Sequence, residues 1–152
     1  MNKIIIGAMF LATTSCAVTY VPPTAKASVN TKTLSASKNK ILSAAKKVLI
    51  NEGFQITAYD DSAGIISTAA IDQKLTPAQA DCGTTMGIDY LKDNRTSTRV
   101  AYGVIVDGNN LIIKTTITGE YKPGTVSQDI TLTCISRGQL GRELLNKIAN
   151  NI

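Results

Sequence analysis

Three kinds of residue in this chain of 152 could carry chemistry: the cysteines Cys16, Cys82 and Cys134, the adjacent acids Asp60 and Asp61, and the arginines Arg95 and Arg99 on either side of Thr96-Ser97-Thr98. Paired carboxylates can hold a cation, but calcium draws six or more oxygens from a longer loop. Asp60-Asp61-Ser62-Ala63-Gly64 therefore reads as a solvated turn. Arg95 and Arg99 are candidate ligand-binding residues, because guanidinium groups in a polar stretch suit an anion. The chain contains no histidine, which removes Ser-His-Asp and Cys-His catalysis, histidine-bearing zinc sites and imidazole pH switches. Ser43 and Ser136 lack a general base in any recognisable motif, and Gly83, Gly87 and Gly103 match neither the dinucleotide fingerprint nor the phosphate loop. No catalytic residue, metal or cofactor is expected.

Composition narrows the partners further. Tryptophan is absent and aromatic residues make up 5% of the chain, too few for base-stacking platforms. The net charge of +5 is dispersed, with Lys46-Lys47 the only adjacent basic pair, so a solvated mixed-charge surface is expected and no nucleic-acid partner.

The N-terminus carries an address. Met1 to Ala12 reads MNKIIIGAMFLA, a basic n-region followed by an apolar run too short to span a bilayer, which takes roughly 20 residues. Leu11-Ala12-Thr13-Thr14-Ser15-Cys16 resembles the lipobox of bacterial lipoproteins. Ser15 fills the small position before the cysteine, and Thr13 departs from the usual leucine. The resemblance implies a signal peptide over residues 1–15 and lipidation of Cys16. By the same resemblance, Ala17 rather than Asp after the cysteine favours the periplasmic side of an outer membrane. The alternative is a soluble periplasmic or secreted protein, cleaved after Ala25-Lys26-Ala27. If Cys16 carries lipid, Cys82 and Cys134 remain as an even pair in an oxidising compartment, where a disulfide is expected.

The elements that must position these residues follow from periodicity. Residues 16–37, rich in Ser, Thr, Ala and Pro, read as a flexible tether, with a short strand near Val18 to Val21 that Pro22-Pro23 would end. Residues 38–152 then form one domain. Ile41, Leu42, Ala45, Val48 and Leu49 make a helical stripe over Lys38 to Glu52, with Ser37 as cap. Period two over Phe54 to Tyr59 and an apolar run over Ile65 to Ala69 predict two strands. Ile71 to Thr98 is irregular, with one helical turn possible at Thr76-Pro77 and a strand at Met86 to Leu91. Val100–Val106, Leu111–Tyr121 and Val126–Cys134 alternate as three strands of a meander. A closing helix from Arg137 would be started by a Ser136/Gln139 capping box, with Glu143 and Lys147 in favourable i,i+4 order. The predicted fold is α+β: an antiparallel sheet of about five strands with an N-terminal and a C-terminal helix packed on it.

The segment ILSAAKKVLINEGFQITAYDDSAGIIST runs helix, Gly-Phe, strand, acidic turn, Ala-Gly-Ile. Over residues 38–69 it is similar to the repeating unit of the helix-grip lipoprotein of the outer-membrane β-barrel assembly machinery, whose sheet wraps a helix. The resemblance implies a helix-grip-like domain in the cell envelope. The expected function is that of a non-catalytic, lipid-anchored envelope protein, a structural or adaptor lipoprotein that docks other envelope proteins. The alternative is a periplasmic ligand-binding or enzyme-inhibitor module. An exposed apolar patch would mark the first and a closed pocket between helix and sheet the second.

Overall fold

The computed structural model describes residues 20–124 and 129–152. Cys16 and the expected signal peptide lie outside the described residues. In chain order the elements are β1 (Tyr20–Val21), β2 (Asn30–Thr33), α1 (Lys38–Asn51), β3 (Ile56–Asp60), β4 (Ile65–Thr68), β5 (Ile71–Asp72), β6 (Ala80–Asp81), β7 (Thr84–Thr85) and β8 (Ile88–Asp89). A 3-10 turn (Tyr90–Lys92), β9 (Thr96–Asp107), β10 (Asn110–Tyr121), β11 (Ile130–Ser136) and α2 (Gln139–Ala149) complete it.

The platform is the β9–β10 hairpin, paired over its whole length from Asn110↔Asp107 to Tyr121↔Thr96. Strict alternation forces one face inward: Val100, Tyr102, Val104 and Val106 from β9 and Leu111, Ile113, Ile117 and Tyr121 from β10 are all buried. Each outer edge of the hairpin carries two short strands end to end. β4 and β5 pair with β9, while β2 and β11 pair with β10. Where β4 leaves β9, the Thr68 hydroxyl accepts the Tyr102 N–H at 2.9 Å, so the ladder loses no partner there. The apolar stripes of α1 (Ile41, Leu42, Ala45, Val48, Leu49) and α2 (Leu140, Leu144, Leu145, Ile148) close over the inward face.

The architecture expected from sequence is corrected. Among the described residues the fold is mostly β, with an eight-stranded and a three-stranded antiparallel sheet in place of one sheet of about five strands with two flanking helices. β1 and β8, of two residues each, fall within the short strands expected near Val18 to Val21 and at Met86 to Leu91; of the added strands β2 has four residues and β5, β6 and β7 two each. Runs this short leave no period in the sequence; β1, β2, β5 and β6 rest on pairing with strands distant in sequence, while β7 and β8 also pair with each other across a local turn.

Other local expectations change for similar reasons. The tether expected over 16–37 is, from Tyr20 onward, part of the fold: β1 pairs with β7 and β2 with β10. β3 is an edge strand, bulged between Ile56 and Ala58 and exposed beyond Ile56, rather than half-buried. The Ser136 hydroxyl accepts the Gly138 N–H at 3.1 Å and Gly138 takes φ 84°, so α2 starts without the capping box. Ser37 precedes α1 but its hydroxyl makes no capping bond.

The irregular segment between β5 and β9 is held by Asp81 and Cys82. Cys82 is fully buried and bonded to Cys134 on β11, with the two Cα atoms 4.1 Å apart and the cysteines 52 positions apart in sequence. The Asp81 carboxylate accepts the N–H groups of Thr24 (3.1 Å), Ala25 (3.0 Å) and Gly83 (3.0 Å), with Arg137 3.5 Å away. Burial by itself would raise the Asp81 pKa, but these N–H donors and Arg137 hold it below the usual carboxylate value. Gly83 is required beside them: at φ 82° a Cβ would collide with the Val21 carbonyl oxygen.

The hairpin β7–β8 turns on Met86 (φ 49°) and Gly87 (φ 78°). Two consecutive positive φ values define a type I′ turn, whose first position favours Asn, Asp or Gly. Methionine there costs on the order of 1–2 kcal/mol in backbone strain. Among the described residues it is the one non-glycine with positive φ.

Gly119 gives the disulfide its room. It pairs with Leu132, and a Cβ on it would lie 2.8 Å from the Cys134 sulfur and 3.2 Å from the Leu132 Cβ. Gly119→Ala is expected to destabilise the oxidised protein by about 1–3 kcal/mol through overpacking. Reduction of the wild type is expected to cost about 2–4 kcal/mol on the chain-entropy account. Urea unfolding of the four combinations checks both, and the Gly119→Ala penalty should shrink once the sulfurs are free to move apart.

Candidate functional site

At the C-terminal end of α1 the chain turns sharply, with the Phe54 N–H donating to the Leu49 carbonyl at 2.9 Å, and this drives the Phe54 ring inward. There it meets Tyr102, the one polar-tipped residue in the row from Val100 to Val106, edge to face at 4.9 Å. Ile71, Asp72 and Gln73 of β5 and its exit form one wall; Leu140, Glu143, Leu144 and Lys147 of α2 form the other. Together with Glu52 these residues enclose a cleft of about 230 Å³ with an aromatic floor and an acidic rim.

The rim charges do not cancel. Lys147 bridges to Glu52 at 2.6 Å, across the two helices rather than to Glu143 as the i,i+4 order predicted. Glu143 is left to accept a hydrogen bond from Gln139 Nε2 at 2.9 Å, and Asp72, with its side chain 90% exposed, sits 3.5 Å from Arg99. Burial, followed by the Glu143 and Glu52 carboxylates, pushes the Tyr102 phenol up to about 12. Carboxylates around aromatic faces favour a cationic group, by charge-assisted hydrogen bonds and by attraction to the rings.

The sequence-predicted anion site has a different character. Arg95 is bound to Asp93 at 2.7 Å, donates to the Pro123 carbonyl at 3.3 Å and lies 5.1 Å from the centre of the Tyr121 ring. The Arg95 side chain, then its own N–H, holds Asp93 down at about 2. Arg99 instead donates to the Ala70 carbonyl at 2.9 Å and faces Asp72. The two guanidiniums thus have separate neighbours, and each has a carboxylate beside it.

Of the cysteines, Cys82 and Cys134 are joined to each other, whereas Cys16 lies outside the described residues. Among the described residues no group of three or more His, Cys, Asp or Glu side chains could hold a metal ion, and no helix is long and apolar enough to cross a membrane. The cleft residues Glu52, Asp72, Tyr102 and Glu143 were not legible as a set. Tyr102 carried the one usable signal, a hydroxyl in an otherwise apolar row.

No protein family matches the chain, and no curated protein matches it. Among solved structures it is similar to a TBP-like protein from Parabacteroides distasonis, with a TM-score of 0.44 and 12% identity over 68% of this chain. The chain spans 62% of the length of that structure.

The Tyr102 phenol gives a pH signature. Its pKa is about 12 in the folded chain against 10.0 for an ordinary tyrosine, so folding is favoured below pH 10 and this contribution is lost as pH rises towards 12. Absorbance titration should resolve the Tyr102 phenol ionising late. Tyr102→Phe should remove that late step and flatten the loss of stability between pH 10 and 12. A wild-type titration with every tyrosine ionising near pH 10 would contradict the burial of this group.

Proposed function

We propose that this chain is a non-catalytic, lipid-anchored envelope protein, held to the periplasmic side of an outer membrane through Cys16 and docking another envelope protein at the cleft between α1, α2 and β5. The observation that carries the anchoring is the disulfide: with Cys82 and Cys134 joined, Cys16 is the one cysteine left over, and it follows the lipobox-like Leu11–Ser15. A disulfide between the other two also suits an oxidising compartment.

The cleft supports an adaptor better than a small-molecule binder. Its 230 Å³ falls below the roughly 300–1,000 Å³ usual for ligand pockets, and it opens to solvent past Asp72. A lysine or arginine side chain of a partner would set its charge between Glu143 and Asp72 and its stem against Phe54 and Tyr102.

Protein extracted from its own membranes is the material for the test. Mass spectrometry should find a diacyl- or triacyl-modified N-terminal Cys16. A photo-crosslinker at Gln73 should capture one partner through a basic segment, and Glu143→Lys should abolish that adduct in a folded protein. A soluble protein beginning at Ser28 would overturn the anchoring. Crosslinks indifferent to Glu143→Lys would overturn the cleft as the docking site.

A further inference from the structure

We infer that the β7–β8 hairpin tip is a second membrane contact, set into the lipid interface beside the acylated cysteine. The inference rests on the anchoring of Cys16 proposed above.

Chain direction brings the tip close to the anchor. β1 runs antiparallel to β7, with Tyr20 opposite Thr85 and Val21 opposite Thr84. Thr85 is the last residue before the Met86-Gly87 turn. The described chain therefore begins on the tip side of the hairpin, not at its base. Four peptide steps separate Cys16 from Tyr20, and a fully extended chain covers at most roughly 14 Å in that number. An acyl chain on Cys16 is thereby confined close to Met86.

The side chains at the tip suit a lipid interface. Met86 is 88% exposed and Ile88 60% exposed, the first at the turn and the second on the strand beside it. The carboxylate nearest the tip in sequence, Asp89, is occupied in accepting the Leu91 N–H at 2.8 Å. Methionine also holds a turn position that its backbone disfavours, where asparagine or glycine would be at ease. A strained and exposed apolar residue has no gain within the fold. It gains if its side chain enters a lipid interface, where apolar groups lie about 5–10 Å deep. The base of the hairpin is tied to the core: the Tyr20 ring meets the tilted Tyr90 ring at 5.8 Å, and Tyr90, itself 1% exposed, meets Tyr121 edge to face at 5.0 Å. A bilayer is the fitting occupant, because the proposed anchor draws one within reach of this tip.

The absence of tryptophan makes the test direct. Met86→Trp, Ile88→Trp and, as a control, Ile65→Trp are made in the full lipidated chain and reconstituted into vesicles of phosphatidylethanolamine and phosphatidylglycerol. Ile65 is also exposed but pairs with Ile105, near the far end of β9 from the Thr96 end at which Tyr121 and Tyr90 meet. Emission from Trp at 86 and 88 should shift to the blue and be largely lost when brominated lipid is included, while emission from Trp at 65 stays as in water. Ile88→Trp lies outside the turn and keeps the test valid if Met86→Trp disturbs it. Acylated protein whose Trp at 86 and 88 both report water would overturn this inference and leave the anchor standing. Protein without an acyl group on Cys16 would overturn both.

Discussion

Asp81 and Cys82 are neighbours in sequence, and between them they hold the N-terminal segment at Thr24 and Ala25, the entry to β7 at Gly83, and the end of β11. The Asp81 carboxylate draws in the backbone of Thr24, Ala25 and Gly83, while Cys82 is bonded to β11 through Cys134. A buried carboxylate is stable only when its lone pairs are met, and here three N–H groups and Arg137 meet them. β6 adds its own pairing, Asp81 with Ile135 and Ala80 with Ser136. One short stretch thus ties the N-terminal segment, the three-stranded sheet and the end of β11 to a single point. The β9–β10 platform and the two helices supply most of the apolar burial, but they do not determine where the chain enters the domain.

That entry point connects the fold to the proposed anchoring. A flexible tether of some twenty residues would let the domain turn freely above a membrane. With Tyr20 in a strand and Thr24 and Ala25 held by Asp81, only residues 17–19 separate Cys16 from chain that is held on the domain. Under the proposed anchoring the domain would present a preferred side to the lipid, with the acid-rimmed cleft in a fixed relation to it. An adaptor benefits from such an orientation because its partner meets the docking face without a search over angles.

The long, regular elements were legible in the sequence. The alternation of Val100, Tyr102, Val104 and Val106 is buried as expected, and the stripe from Leu140 to Ile148 faces the core. The disulfide followed from an even pair of cysteines once Cys16 was set apart. What was not legible depends on partners distant in sequence. The two-residue strands carry no period, and Lys147 chose Glu52, 95 residues away, over its helical neighbour Glu143. The cleft was hidden for the same reason: Glu52 read as the end of the first helix and Glu143 as the i,i+4 partner of Lys147, and only the packing of the two helices brings both to one Tyr102.

Amide hydrogen exchange at Thr24 and Ala25 measures most directly whether Asp81 holds the entering chain on the domain. Both amides should be protected in the oxidised protein at neutral pH. In Asp81→Ala they should exchange at close to the free-chain rate, with the β9–β10 amides still protected. Free-chain exchange at Thr24 and Ala25 in the wild type, or protection that survives Asp81→Ala, would contradict that role for Asp81.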